Sequence, residues 1–182
     1  MILFWAIFFG LIAGYLRGGS ISNLARLEIR GAWLVGLALL IQILIFPLFG
    51  AEALLQSANS ILHLTSYFLL FIFGLLNWRV WQILMMGLGM SLNVMAIAGN
   101  GGYMPASVTA LRNAGNHLAA QGLLDSGQLG NVTEMNSQTA LNFLGDRFYL
   151  PAWIPLSTAF SLGDGIIGAG IFLLLALKMK GS

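Results

Sequence analysis

The sequence predicts an all-α integral membrane bundle of five transmembrane helices, N-terminus outside and C-terminus in the cytoplasm, with a partly helical extracytoplasmic loop. Three observations carry this expectation. The first is composition: 58 % of the 182 residues are hydrophobic, only 8 % are charged, and the mean hydropathy is +0.87. Soluble domains carry roughly 25 % charged residues. Eight basic and six acidic side chains cannot shield so much apolar surface from water. This composition speaks against a cytosolic enzyme, a disordered tail and a nucleic-acid-binding domain. The second observation is five apolar stretches, near 1–16, 32–50, 60–77, 79–99 and 155–177. Each is long enough, or nearly so, to cross ~30 Å of hydrocarbon at ~1.5 Å per residue. The third is the placement of Lys and Arg. Arg17, Arg26, Arg30, Arg79, Lys178 and Lys180 fall in connections on one side, and Arg112 and Arg147 on the other. Basic residues concentrate on the cytoplasmic side, so the richer side is expected to face inward.

The elements follow in order. The chain is apolar from Met1, with no basic n-region and no clear cleavage site, so 1–16 reads as an uncleaved first span. The apolar runs are continuous rather than alternating, which favours helices over barrel strands. Residues 100–154 form the one sizeable connection, expected outside. It opens on the turn-forming cluster Asn100-Gly101-Gly102-Tyr103-Met104-Pro105. Val108, Leu111, Leu118 and Leu123 then suggest an amphipathic helix near 106–124 lying at the interface. A second helical piece is expected near 131–142, and Leu144 to Pro151 reads as irregular. The whole chain, 1–182, forms one membrane domain, with no internal repeat.

Polar side chains within spans are costly and usually face a bundle interior or a cavity. Gln42, His63, Ser66, Tyr67, Asn93 and Asp164 all fall in the outer half of their spans, and Asn100 continues the face of Asn93. With a last helix starting near Pro155, Asp164 lies ~13–15 Å deep. Such a carboxylate must be neutral, paired or hydrated. Ser161, Gly165 and Ala169 give that helix a small-residue face for close packing. Asp146, beside Arg147, is the second carboxylate of interest; two neighbouring aspartates could share a proton and activate water. Plainer roles stand beside these. Gln42, Ser66, Tyr67 and Asn93 could simply bond neighbouring helices, His63 could be structural, Asp164 could anchor a loop, and Asp146 could pair with Arg147. There is no cysteine, and the two histidines are too few to suggest a metal site. No cofactor motif and no phosphate-binding loop occurs.

The run Ala98-Gly99-Asn100-Gly101-Gly102-Tyr103-Met104-Pro105, with the later Leu144-Gly145-Asp146 and Leu162-Gly163-Asp164, resembles a family of small bacterial membrane proteins carrying a domain of unknown function. The resemblance implies the bacterial inner membrane and supplies no activity. Locally, the segment from Trp153 to Ala169 is similar to the one that opens the last helix of lipoprotein signal peptidases. Those are four-span enzymes with two aspartates near the outer face. That resemblance implies Asp146 and Asp164 as a catalytic pair.

The leading expectation is an outward-facing polar cavity lined by Asn93, Asn100, His63, Tyr67, Arg147 and the two aspartates. It would bind a lipid-like or small amphipathic ligand, or a partner subunit. The alternative is a membrane aspartyl hydrolase or peptidase with an Asp146/Asp164 dyad. A secondary transporter is the least supported, because the inner half of the spans carries few polar residues.

Overall fold

The computed structural model describes residues 2–45 and 59–180. Five longer helices account for half of it: α1 (Ile2–Leu16), α3 (Ala32–Ile45), α4 (Asn59–Leu76), α5 (Trp81–Gly99) and α8 (Leu162–Lys178). A four-residue helix, α2 (Ile21–Leu24), follows α1. The expected end of the second span at 46–50, and Glu52, lie outside the described residues. Between α5 and α8 come β1 (Met104–Ala106), α6 (Val108–Asn113), α7 (His117–Ser126), β2 (Gln128–Leu129), β3 (Val132–Glu134), β4 (Phe148–Tyr149) and β5 (Ala159–Phe160).

The protein is mostly helical. Among the described residues, Trp81–Gly99 is the one helix both long and apolar enough to cross a bilayer by itself; Ile2–Leu16, Ala32–Leu44 and Leu64–Leu76 are shorter apolar helices. The principal contacts run α3–α4, α4–α5, α5–α8 and α8–α1, so α8 lies between α5 and α1. Glycines set the closest approaches. A Cβ on Gly89 would run into the Gly163 carbonyl, and one on Gly163 would strike Asn93. A Cβ on Gly170 would sit 3.0 Å from the Gln82 carbonyl, and one on Gly10 3.1 Å from Leu175. Thus Gly163 and Gly170, seven residues apart, form the face that meets α5. Of the face expected to pack, Ser161 is buried against α5, whereas Gly165 and Ala169 border an open groove with Phe148 and Phe160.

The helices run between two distinct ends. At one, Ser20 N and Asn23 Nδ2 both donate to Met179 O at 2.8 Å, and buried Asn77 exchanges two bonds with the Arg30 backbone at 2.8 and 2.9 Å. This gathers the segments bearing Arg17, Arg26, Arg30, Arg79 and Lys178. At the other, Trp5 Nε1 donates to Pro155 O at 3.1 Å, tying the start of α1 to the roof made by residues 100–161.

The roof departs from the expectations in four ways. Beside its helical parts it contains strand pairing, which the sequence reading lacks: β1 pairs in parallel with β3 (Met104↔Val132 to Ala106↔Glu134), β2 pairs antiparallel with β3, and β4 with β5. Strands of two or three residues are too short for alternation to reveal. The helix expected over 106–124 is two, broken where Gly115 takes φ +81°. The helical piece expected near 131–142 is instead β3 and turns, with a 3₁₀ turn at Asn142–Leu144. There, β-branched Val132 and Thr133 find the free edge of β1. Finally, the last helix begins at Leu162, not near 155. Pro155, Leu156 at φ +59° and the β4–β5 pair hold the intervening chain extended or turned. Asp164 therefore sits in the first helical turn rather than ten residues deep. A small core of Ala96, Ile97, Met104 and Leu144, flanked by Tyr67, Leu92, Val132 and Leu141, seals the roof onto α4 and α5.

Candidate functional site

Helix starts leave backbone N–H groups without partners, and a Ser/Thr followed three residues later by an acid satisfies two of them reciprocally. Ser161-Leu162-Gly163-Asp164 does this at the start of α8. Ser161 Oγ accepts from Asp164 N at 2.9 Å, and Asp164 Oδ2 accepts from Ser161 N at 3.2 Å. Asn93 closes the arrangement from α5: its Nδ2 donates to Asp164 Oδ1 at 2.8 Å, and its Oδ1 accepts from Ser161 Oγ at 2.8 Å. Ser161 is fully buried. The Gly89–Gly163 contact brings the two backbones close enough for this short-range exchange.

Asp146 arrives from the roof. Its main chain is clamped to β1: Asp146 N donates to Pro105 O at 2.8 Å, Ser107 N donates to Asp146 O at 2.9 Å, and Ala106 bridges it in parallel. Its carboxylate makes no hydrogen bond among the described residues. Burial, and secondarily the charge of Asp164, push its pKa up from 3.8 to about 7. Tyr67 of α4 lies within electrostatic reach of both carboxylates. Below them, a cavity of about 340 Å³ runs between α4, α5 and α8. Asn93, Asp164, Tyr67 and Gln42 contribute its polar lining, while Leu70, Phe73, Ile83 and Met90 are among its apolar walls. Gln42 Nε2 also reaches Ser66 Oγ at 3.3 Å.

The structure thus brings together four of the predicted site residues: Asp146, Asp164, Asn93 and Tyr67. It does not bring Asn100 into contact with them. Asn100 donates to Ala96 O and Ala140 O and accepts from Ala140 N, all at 2.7–2.8 Å, so it fastens the roof to the end of α5. Arg147 is exposed and lies 6.0 Å from the Phe148 ring centroid; among the described residues it pairs with neither aspartate. His63 lies in α4, and its side chain is outside the described residues. Ser161 is the functional residue that apolar periodicity missed. Its signal was present as Ser-x-x-Asp ahead of an apolar run, the sequence mark of a capped helix start.

This constellation sits in a mostly helical bundle with a polar cluster under a small mixed roof. A family model described as a family of unknown function, DUF5317, matches residues 26–176. The chain belongs to that family. No curated protein and no solved structure matches it.

Proposed function

We propose that the chain spans the bacterial inner membrane with α1, α3, α4, α5 and α8, N-terminus outside and C-terminus inside. We further propose that the cavity beneath the aspartates binds a lipid-like or small amphipathic ligand. Large apolar side chains support the first part. Phe4, Phe8, Phe9, Trp33, Leu40, Phe68, Phe71, Leu84 and Leu88 all point outward and are 43–68 % exposed. Soluble monomers do not present such a surface. Trp33, Trp78 and Trp81 are exposed near the basic end and Trp153 near the roof, the two levels at which indoles seat in a bilayer. At ~1.5 Å per residue, α1 spans ~22 Å and α5 ~28 Å, so the bilayer would thin around α1.

The observation that carries the binding reading is the cavity itself: apolar walls for most of its depth, with Asn93, Asp164 and Tyr67 along one portion. An amphipathic molecule matches that polarity gradient. Its test is native mass spectrometry of the detergent-solubilised chain. A co-purifying ligand is expected, and Met86→Trp, which fills the cavity, should remove it. A ligand retained at full occupancy by that variant would reject the assignment. Because the chain lacks cysteine, single-cysteine labelling reads topology directly. Ala152→Cys should react in intact cells and Ser20→Cys only after permeabilisation.

A second reading, an aspartyl hydrolase, is favoured by one observation. Among the described residues the Asp146 carboxyl accepts no hydrogen bond; it titrates near neutrality and feels the charge of Asp164. Such a pair can divide the roles of proton donor and base for a water. Asp164 is the weaker partner in it, because both its oxygens already accept hydrogen bonds. Asp146→Asn should then abolish cleavage of a membrane-anchored peptide without unfolding the chain; retained cleavage would reject the dyad.

A further inference from the structure

The cavity between α4, α5 and α8 has a polar part whose chemistry is one-sided. Asp164 lines it from α8, Gln42 from α3 and Tyr67 from α4. Among the described residues, no Lys, Arg or His lines it. Asp164 accepts from Asn93 Nδ2 at Oδ1 and from Ser161 N at Oδ2, and both donors are uncharged. A carboxylate offers about four lone-pair sites, so these two bonds leave acceptor capacity and bring no positive charge. Gln42 donates to Ser66 Oγ at 3.3 Å, and its own Oε1 accepts nothing among the described residues. Asp146 adds a second negative charge from the roof. It is not part of the lining, yet its field and that of Asp164 both fall on Tyr67, which is. Neither carboxylate has a cationic partner among the described residues, and Arg147, next to Asp146 in the chain, lies over the Phe148 ring instead.

Carboxylates without a counter-charge are costly beside apolar walls, and a cation offsets that cost. A fatty-acid carboxylate would bring a further negative charge to the same end. A hydroxyl supplies one donor and no charge, whereas a primary ammonium supplies three donors and the missing charge. The volume of about 340 Å³ lies near the small end of ligand pockets, which run ~300–1,000 Å³, so one alkyl chain suits it better than two. Resting on the cavity reading given above, we propose that the ligand is a single-chain amphiphile with a primary ammonium headgroup. Its tail lies along Leu70, Phe73, Ile83 and Met86, and its ammonium beside Asp164. A free alkylamine and the ethanolamine end of a one-chain phospholipid offer the same group, and the experiment separates the two.

Radiolabelled dodecylamine is bound to the full chain in a neutral maltoside detergent at pH 8.5, where Asp146 is ionised. Dodecanol and dodecanoate, of the same chain length, compete with it. Dodecylamine should bind at least ~10-fold more tightly than either. Asp146→Asn should lower that preference several-fold, and Asp164→Asn should erase it. Equal binding of the three, or a preference that Asp146→Asn leaves untouched, overturns the ammonium assignment. Should Asp164→Asn not fold, because it disturbs the bonds to Asn93 and Ser161, the Asp146 variant decides alone, since among the described residues its carboxylate holds nothing in place. Lysophosphatidylethanolamine should compete less well than dodecylamine, because its phosphate follows the ammonium toward the carboxylates; if it competes better, the ammonium stands and its source is the lipid headgroup. Met86→Trp separates this proposal from the reading beneath it. Dodecanol that binds as tightly as dodecylamine and is lost with Met86→Trp defeats the ammonium and leaves the cavity reading standing. Absence of saturable binding by all three, or binding that Met86→Trp leaves intact, defeats the cavity reading and the ammonium with it.

Discussion

The two flanks of α5 are built differently. Toward α8 the seam is closed: Gly89 meets Gly163 backbone to backbone, and Asn93, Ser161 and Asp164 satisfy one another in a ring of four hydrogen bonds at 2.8–3.2 Å. Toward α4 the helices stand apart, and the gap is the 340 Å³ cavity. Gly87, two residues from Gly89 on the same helix, would meet nothing within 4 Å if given a Cβ. One helix therefore serves as an anchor on one face and a cavity wall on the other. The polar groups of the anchor each have a partner, while the carboxylate of Asp146 has none among the described residues. A bundle of this design keeps its shape through one seam and leaves the other open, where the proposed ligand would sit.

That contrast can be broken most severely at the glycines. Gly163→Leu should cost at least ~3 kcal/mol, because backbone occupies the space the side chain needs. Loss of monodisperse protein on size exclusion would register it. Gly87→Ala, by contrast, should leave the melting temperature within a degree or two and gain a little from helix propensity; matched losses in both variants would erase the distinction between the flanks. Asn93→Leu should cost ~3 kcal/mol, since it leaves an Asp164 oxygen and a buried serine hydroxyl without their partner. Denaturant unfolding in detergent measures it, and an effect below ~1 kcal/mol would mean that the ring does not hold the seam.

A smaller effect sharpens the difference between the two carboxyls. Asp146 keeps its proton in the fold up to pH about 7, whereas the unfolded chain releases it near 3.8. Between those values the folded state binds more protons, so stability falls as pH rises, and it levels above 7. From pH 5.5 to 8.5 the loss should be ~2 kcal/mol, and Asp146→Asn should remove that slope. Melting curves at pH 5.5 and 8.5 read it; an identical slope in the variant would show that Asp146 is not the group that titrates. The smallest change belongs to Arg147→Ala. This exposed side chain lies over an aromatic ring and forms no ion pair among the described residues, so its loss should alter stability by less than ~0.5 kcal/mol.

The sequence displayed the helices because apolar runs of 14 to 19 residues leave few alternatives. It also marked Asp146, Asp164, Asn93 and Tyr67 as costly groups in an apolar chain. The join between them stayed hidden, because Asn93 and Asp164 are 71 residues apart and nothing local announces their bond. The start of α8 was legible and was misplaced: apolar residues before Ser161 outweighed the Ser-x-x-Asp signature. Asn100 drew attention for its turn chemistry, and its partner, the Ala140 backbone, has no side-chain signature at all.

The parallel pairing of β1 with β3 has an evolutionary consequence. Parallel neighbours need a long crossover, and here residues 107–127 provide it, leaving the sheet at Ala106 and returning at Gln128. Asp146 is clamped by β1 and by Ser107, the residue that caps α6 at the very start of that excursion. Beyond Ser107 the crossover is tied to the roof through backbone carbonyls, those of Asn113, Ala114 and Gly127, which any side chain leaves in place. Its surface can drift, while the carboxylate beneath keeps its position. Substitutions on the crossover's exposed surface can therefore be made without touching the carboxylate's own backbone bonds.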